Sequence, residues 1–191
     1  LCYISHDIPE GYLELPSFAE SAEDKEAFTG MFHVFYRNND PATAKGLAQE
    51  QDTRYLVQNP PARYLSGPEL DAVYDLEYEL DQHPFYQRQG DVKALETIRF
   101  SITTHRGCYG ECSFCAIAIH QGRTVRSRSR GSILDEARRM TTHPLFKGIL
   151  HDVGGPTANM YGFECLRKHE KGACPKKRCL FPKVCTDLGI D

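Results

Sequence analysis

The sequence predicts an α/β fold, and three features carry that prediction. Between residues 97 and 155 an apolar strand, a loop, an amphipathic helix and a second apolar strand follow in order, the connection used by parallel sheets. The chain is 40% hydrophobic and 26% charged, the balance of a globular protein, and its 191 residues allow one domain, or one domain with an appendage. No apolar run reaches the roughly 18 residues that a membrane span needs, so no membrane partner is expected. A complete (β/α)₈ barrel takes about 250 residues, so the second half of the chain has room only for the start of one. The expected organisation is an acidic helical linker module over 1–96, then the first part of a partial (β/α) barrel over 97–191, with a cysteine-rich insertion at 165–185.

Residues 1–38 read as an extended entry segment, with a short helix at 21–28 in the acidic run "AESAEDKEAF" and a strand near "MFHVFY". In "NNDPATAKGLAQEQ" Asp40 can cap a helix, Pro41 fits its first turn, and Ala44, Leu47 and Ala48 make an apolar stripe. "RYLVQNPP" predicts a short strand stopped by two prolines. "SGPELDAVYDL" predicts a helix: Ser66 caps it, Glu69 stands three residues on, and Leu70, Val73 and Tyr74 share a face. "HPFYQRQGDVKA" reads as loop.

From 97 to 104, Ile98, Phe100 and Ile102 alternate with polar neighbours as in a strand. "SILDEARRM" predicts a helix capped by Ser132, with Asp135 and Glu136 near its positive end and Ile133, Ala137 and Met140 facing inward. "FKGILHDVGG" is then an apolar strand running into paired glycines.

Charge divides the chain. Residues 1–96 carry 7 Lys and Arg against 18 Asp and Glu, and residues 97–191 carry 16 against 8. The basic half suits an anionic ligand: a thiolate-bound cluster, a carboxylate, phosphates or nucleic acid.

Of eight cysteines, Cys2 stands alone and seven fall between 108 and 185. The chain opens on Leu1 and closes on "CTDLGID" with no terminal signal, so it is expected to be an internal piece of a longer, cytoplasmic protein. In that setting clustered thiols point to metal or redox chemistry rather than to disulfides. "RGCYGECSFCAI" spaces Cys108, Cys112 and Cys115 as C-x₃-C-x₂-C, with Gly107 and Gly110 freeing the backbone to wrap the sulfurs around one object. Three thiolates can hold three irons of a [4Fe–4S] cube and leave the fourth open to a ligand. The alternative is zinc, with His105 or His120 as fourth ligand, in a zinc-stabilised module that binds nucleic acid through its basic half.

The spacing, with the aromatic Phe114 just before the last cysteine, resembles the signature of the radical S-adenosylmethionine (SAM) superfamily. The resemblance implies that Cys108, Cys112 and Cys115 hold a [4Fe–4S] cluster whose open iron chelates SAM. An external electron donor would reduce the cluster, and SAM would be cleaved to methionine and a 5′-deoxyadenosyl radical that attacks an unknown substrate. "GRTVRSRSRGSILDE" resembles the segment after the cluster loop in several such enzymes, methylthiotransferases included. There Arg126, Arg128 and Arg130 alternate, and an extended chain would show all three on one side to offset the charge of cluster and cofactor.

In "DVGGPTANMYG", Gly154 and Gly155 match a Gly-Gly-Glu-like motif that binds the SAM ammonium, with Pro156 where Glu is common. Together these strings resemble the YgiQ-like subgroup, most densely over 97–185. Cys165, Cys174, Cys179 and Cys185 form a second group among Lys and Arg, fit for an auxiliary iron–sulfur cluster or a structural zinc. His169 lies there too and is expected to be solvated.

Overall fold

The computed structural model describes residues 1–156, 158–175 and 178–189. The fold is mixed α/β with small sheets, and it divides into two compact units that are not consecutive stretches. Leu1–Tyr64, Tyr109–Thr124 and Cys165–Leu188 make the first; Leu65–Cys108, Val125–Glu164 and Gly189 belong to the second. The sequence suggested instead one boundary, between 96 and 97.

The first unit is built on a four-stranded sheet of β1 (Cys2–Ser5), β2 (Leu13–Leu15), β3 (Leu47–Gln51) and β4 (Arg54–Gln58), in the order β1-β4-β3-β2. β3 and β4 form a hairpin whose turn places Asp52 at φ 60°. Two helices join β2 to β3: α1 (Phe18–Glu23), with a Ser17–Glu20 capping box, and α2 (Lys25–Arg37), capped by Asp24. The sequence predicted a strand near "MFHVFY", but those residues are helical. Phe28, Met31, Phe32 and Phe35 recur at helical spacing, and the helix period prevails over the strand propensity of the aromatic residues.

The helix expected after Asp40 is likewise absent. The Asp40 carbonyl accepts from the N–H groups of Thr43 and Ala44, which closes a single turn, and Leu47 begins β3. Adjacent Leu47 and Ala48 are both buried, and Ala48 pairs with buried Val57, so the apolar pair belongs to a strand covered on both faces. Gly46 lies against the Tyr12 ring, where a Cβ would come within 2.0 Å of it. β4 ends before Pro60 and Pro61 as predicted.

The second unit opens with α3 (Gly67–Tyr74), whose Ser66–Glu69 capping box is the one predicted and whose Leu70 is buried. Short turns α4 (Pro84–Gln87) and α5 (Leu95–Ile98) follow, where a loop and the start of a strand were expected. Arg99 N–H bonds to the Leu95 carbonyl, so Ile98 is wound outward and 61% exposed. The strand itself is β5 (Ser101–Thr103), continued by β6 (His105–Arg106).

The chain then gives the turn α6 (Ile117–His120) to the first unit and returns as β7 (Arg126–Ser127), which pairs with β6. Helix α7 (Arg130–Thr141) is capped by Ser129 rather than by Ser132, whose N–H Ser129 accepts. Strand β8 (Asp152–Gly154) lies parallel to β5. Phe100, Ile102 and Met140 form the core here, with Ile133, Ala137, Phe146 and Leu150 against them. The inward face of α7 is therefore the one its sequence predicts.

The last helix, α8 (Leu166–Lys171), returns to the first unit. Gly172 follows at φ 72°, and a Cβ there would stand 2.6 Å from Asp40 Oδ1. Asp40 is fully buried and accepts from the N–H groups of Ala42 and Ala173, both at 3.0 Å. The residue expected to cap a helix instead anchors a segment 133 positions away. Among the described residues no helix is long and apolar enough to cross a membrane. Replacing Asp40 by Ala leaves the Ala42 and Ala173 N–H groups without their acceptor and is expected to cost about 1 kcal/mol in urea unfolding. A loss within experimental error would show that the anchor contributes nothing.

Candidate functional site

Parallel pairing sends β5 and β8 out of the same edge of their small sheet. Thr103 pairs with Gly154, and Thr104 N–H continues the ladder to the Gly154 carbonyl at 2.7 Å. From that edge β5 runs through His105, Arg106 and Gly107 to Cys108, while β8 runs into Gly155. His105 sits beneath the glycine: a Cβ on Gly155 would come within 2.1 Å of the imidazole. The ring is fully buried, its Nε2 accepts from Met160 N–H at 3.4 Å, and its Nδ1 lies 2.9 Å from Thr104 Oγ1.

Burial lowers the His105 pKa below its ordinary value, against a smaller opposing effect from the Ala158 backbone. His105 therefore packs as a wedge under Gly155, with both ring nitrogens against neighbouring groups. Only the parallel register reveals this role.

Cys108 is buried, Cys112 exposed and Cys115 half-buried, and none of the three is in a disulfide. Cys108 falls in the second unit, Cys112 and Cys115 in the first. Cys115 N–H bonds to the Cys112 carbonyl at 3.1 Å, so those two lie on one tight turn. Between the first two cysteines Glu111 adopts φ 47°, a backbone conformation that residues other than glycine seldom take. Phe114 is 91% exposed.

The donor chemistry fits an iron–sulfur cluster: three unbridged thiols within eight residues. Among the described residues no three His, Cys, Asp or Glu side chains are placed to grip a single metal ion. A tetrahedral zinc takes its ligands on one ion, and a cubane takes three thiolates on three neighbouring irons, so either group draws the sulfurs toward one centre.

The arginines do not form a common row. Arg126 Nε donates to the Leu65 carbonyl at 3.0 Å. Arg130 is exposed and opens α7. The Arg128 side chain is fully buried: it pairs with Glu136, donates to the Thr103 carbonyl at 2.9 Å and to Ser132, and lies over the Tyr74 ring at 4.1 Å. Arg128 thus ties β5 to α7. The expectation of three arginines on one side fails because the strand ends at Ser127 and the next arginine is drawn inward by a carboxylate on the following helix.

In the second cysteine group Cys165, Cys179 and Cys185 are buried and Cys174 is half-buried. Cys174 Sγ accepts from Arg167 Nη1 at 2.6 Å, and Cys185 Sγ from Asp187 N–H at 3.4 Å. Burial raises the Cys179 pKa, partly opposed by neighbouring Lys168. No single-ion site forms from this group among the described residues. The basic run "RKHEK" is not wholly solvated, because Lys168 is 1% exposed. Sequence reasoning missed Lys168 altogether. Thr157 of "GGPTANM", and Lys176 and Lys177 of the cysteine-rich run, lie outside the described residues.

Comparison with known proteins adds the family. The model of the radical SAM N-terminal family matches residues 1–101. A UPF0313 protein of Fusobacterium nucleatum is 54% identical over 191 residues, which is 100% of this chain and 34% of that protein. One from Methanosarcina mazei is 51% identical over 177 residues, 93% of this chain and 28% of the relative. One from Clostridium botulinum is 47% identical over 191 residues, 99% of this chain and 30% of the relative. The chain thus spans about a third of the length of the curated relatives it matches. No solved structure matches it.

The chain belongs to the radical SAM superfamily. Within that superfamily its relatives are the UPF0313, or YgiQ-like, proteins. Nothing in the comparisons supports a zinc-stabilised nucleic-acid-binding module.

Two outcomes are expected. Arg128→Met strands the Glu136 carboxylate and should cost about 3–5 kcal/mol in urea unfolding, with much of the loss recovered in Arg128→Met/Glu136→Leu. A cost below about 1 kcal/mol would mean that the pair does not hold β5 to α7. Because the folded His105 pKa lies below its unfolded value, its contribution to stability is complete above about pH 6.5 and lost as pH falls toward the folded pKa. Unfolding followed from pH 7.5 to 5.5 should show that loss in the parent and a shallower one in His105→Gln; identical slopes would contradict it.

Proposed function

We propose that the full-length protein is a [4Fe–4S]-dependent radical SAM enzyme, working in the cytoplasm on a substrate still to be identified. The observation that carries the proposal is the C-x₃-C-x₂-C loop of unbridged cysteines directly after β5, in a chain that belongs to this superfamily. Cys108, Cys112 and Cys115 would hold the cluster. When bound, such a cluster supplies, from an external donor, the electron that cleaves SAM reductively to methionine and a 5′-deoxyadenosyl radical.

The chain's own residues bind and orient. Gly154 and Gly155 leave β8 at the edge where β5 enters the cysteine loop, and their backbone is proposed to bind the SAM ammonium. His105, wedged under Gly155, holds that backbone at a fixed height. Phe114 offers an exposed aromatic face for the cofactor. Arg126 is the arginine proposed to face its carboxylate. Arg128 acts instead as a support behind β5. In the complete protein the parallel β5–β8 pair would be the first step of a partial (β/α) barrel, and the active site would lie at its carboxyl edge.

Full-length protein reconstituted without oxygen should show iron–sulfur absorption, and with a strong reductant should convert SAM to 5′-deoxyadenosine and methionine. Alanine at any one of Cys108, Cys112 or Cys115 is expected to abolish both. A full spectrum retained in Cys115→Ala would refute the ligand assignment.

A further inference from the structure

We infer that Tyr36, Glu111 and Lys168 form a buried latch that fixes the segment carrying Cys112 and Cys115, and that all three act as positioning residues for the cluster loop. The inference rests on the function proposed above for its consequence, though not for its geometry. Glu111 lies immediately before Cys112 and holds a left-handed backbone at φ 47°. For a residue with a Cβ this conformation persists only where the surroundings impose it.

Both carboxylate oxygens are engaged. Oε2 accepts from the Tyr36 hydroxyl at 3.0 Å, and Oε1 faces Lys168 Nζ at 3.3 Å. The Lys168 side chain is fully buried, and that of Glu111 is 9% exposed.

Lys168 grips the segment at both ends. Its Nζ donates to the Arg123 carbonyl at 2.8 Å and lies 5.1 Å from the centre of the Tyr109 ring. Arg123 in turn donates to the Tyr36 carbonyl at 3.3 Å and stacks over the Tyr36 ring at 4.6 Å. Tyr36, Glu111, Lys168 and Arg123 therefore close a ring of contacts inside the first compact unit. Helix α8 of the cysteine-rich segment thereby holds the cluster loop through an ammonium group. Burial and the Glu111 charge both raise the Tyr36 pKa, which keeps its hydroxyl protonated as the donor.

A buried ammonium facing a buried carboxylate makes the latch cooperative, since either partner alone is left with an unpaired charge. The test uses full-length protein and the variants Lys168→Met, Glu111→Gln, Lys168→Met/Glu111→Gln and Tyr36→Phe. In the apo form, alkylation of Cys112 and Cys115 by iodoacetamide, read by mass spectrometry, should quicken about tenfold in Lys168→Met, and the double variant should be no faster than that single one. Anaerobic reconstitution should give less iron per chain in the same order, with altered electron paramagnetic resonance signals.

Tyr36→Phe removes one hydroxyl and keeps the ring, so it reports on the latch even if Lys168→Met fails to fold; about a threefold faster alkylation is expected. Unchanged alkylation and iron content in folded Lys168→Met or Tyr36→Phe would overturn the latch. A parent protein that takes up no iron while the alkylation rates still shift would sink the proposed function and leave the latch standing.

Discussion

The parallel pairing of β5 with β8 is the constraint on which the candidate site depends. Two strands that start more than 50 residues apart in sequence share one edge, so the cysteine loop and the glycine pair leave from the same place. Parallel strands cannot be joined by a tight turn. The connection between them carries the cysteine loop, the arginine segment and α7, and Arg128 holds that helix to β5 from behind. His105 is fully buried and fills the space under Gly155. Chemistry-bearing residues lie on loops, and the buried groups behind them set where those loops start.

Much of this was legible where the signal is local. The Ser66–Glu69 capping box, the stop at Pro60 and Pro61, the inward face of α7 and the order strand, helix, strand all follow from neighbouring residues. The C-x₃-C-x₂-C spacing, with Phe114 and the neighbouring glycines, led to the superfamily that the comparisons bear out. Where local signals compete, the prediction failed. "MFHVFY" is rich in residues that favour strands yet continues a helix already capped at Asp24. Leu47 and Ala48 suit a helix stripe as well as a strand buried on both faces, and only the partner strand β4 decides between them.

The buried charges were illegible for a different reason. Asp40, Arg128 and Lys168 are each fully or almost fully buried, against the ordinary expectation for their residue types. Each is compensated by a group far along the chain: Asp40 by Ala173, Lys168 by Glu111, and Arg128 by Thr103 as well as by nearby Glu136. Such pairs leave no periodic trace. A lysine in "RKHEK" looks like any solvated lysine until the fold brings Glu111 to it. The same holds for Glu111, whose left-handed backbone and two side-chain anchors set the course of the chain into Cys112.

Under the proposed function, three thiolates bind a four-iron cluster and leave one iron to the cofactor. Mössbauer spectroscopy of full-length protein loaded anaerobically with iron-57 tests it most directly. Adding SAM should set one iron apart from the other three as its coordination changes. Four irons that stay alike with and without SAM, or a folded protein that takes up zinc and no iron, would contradict it.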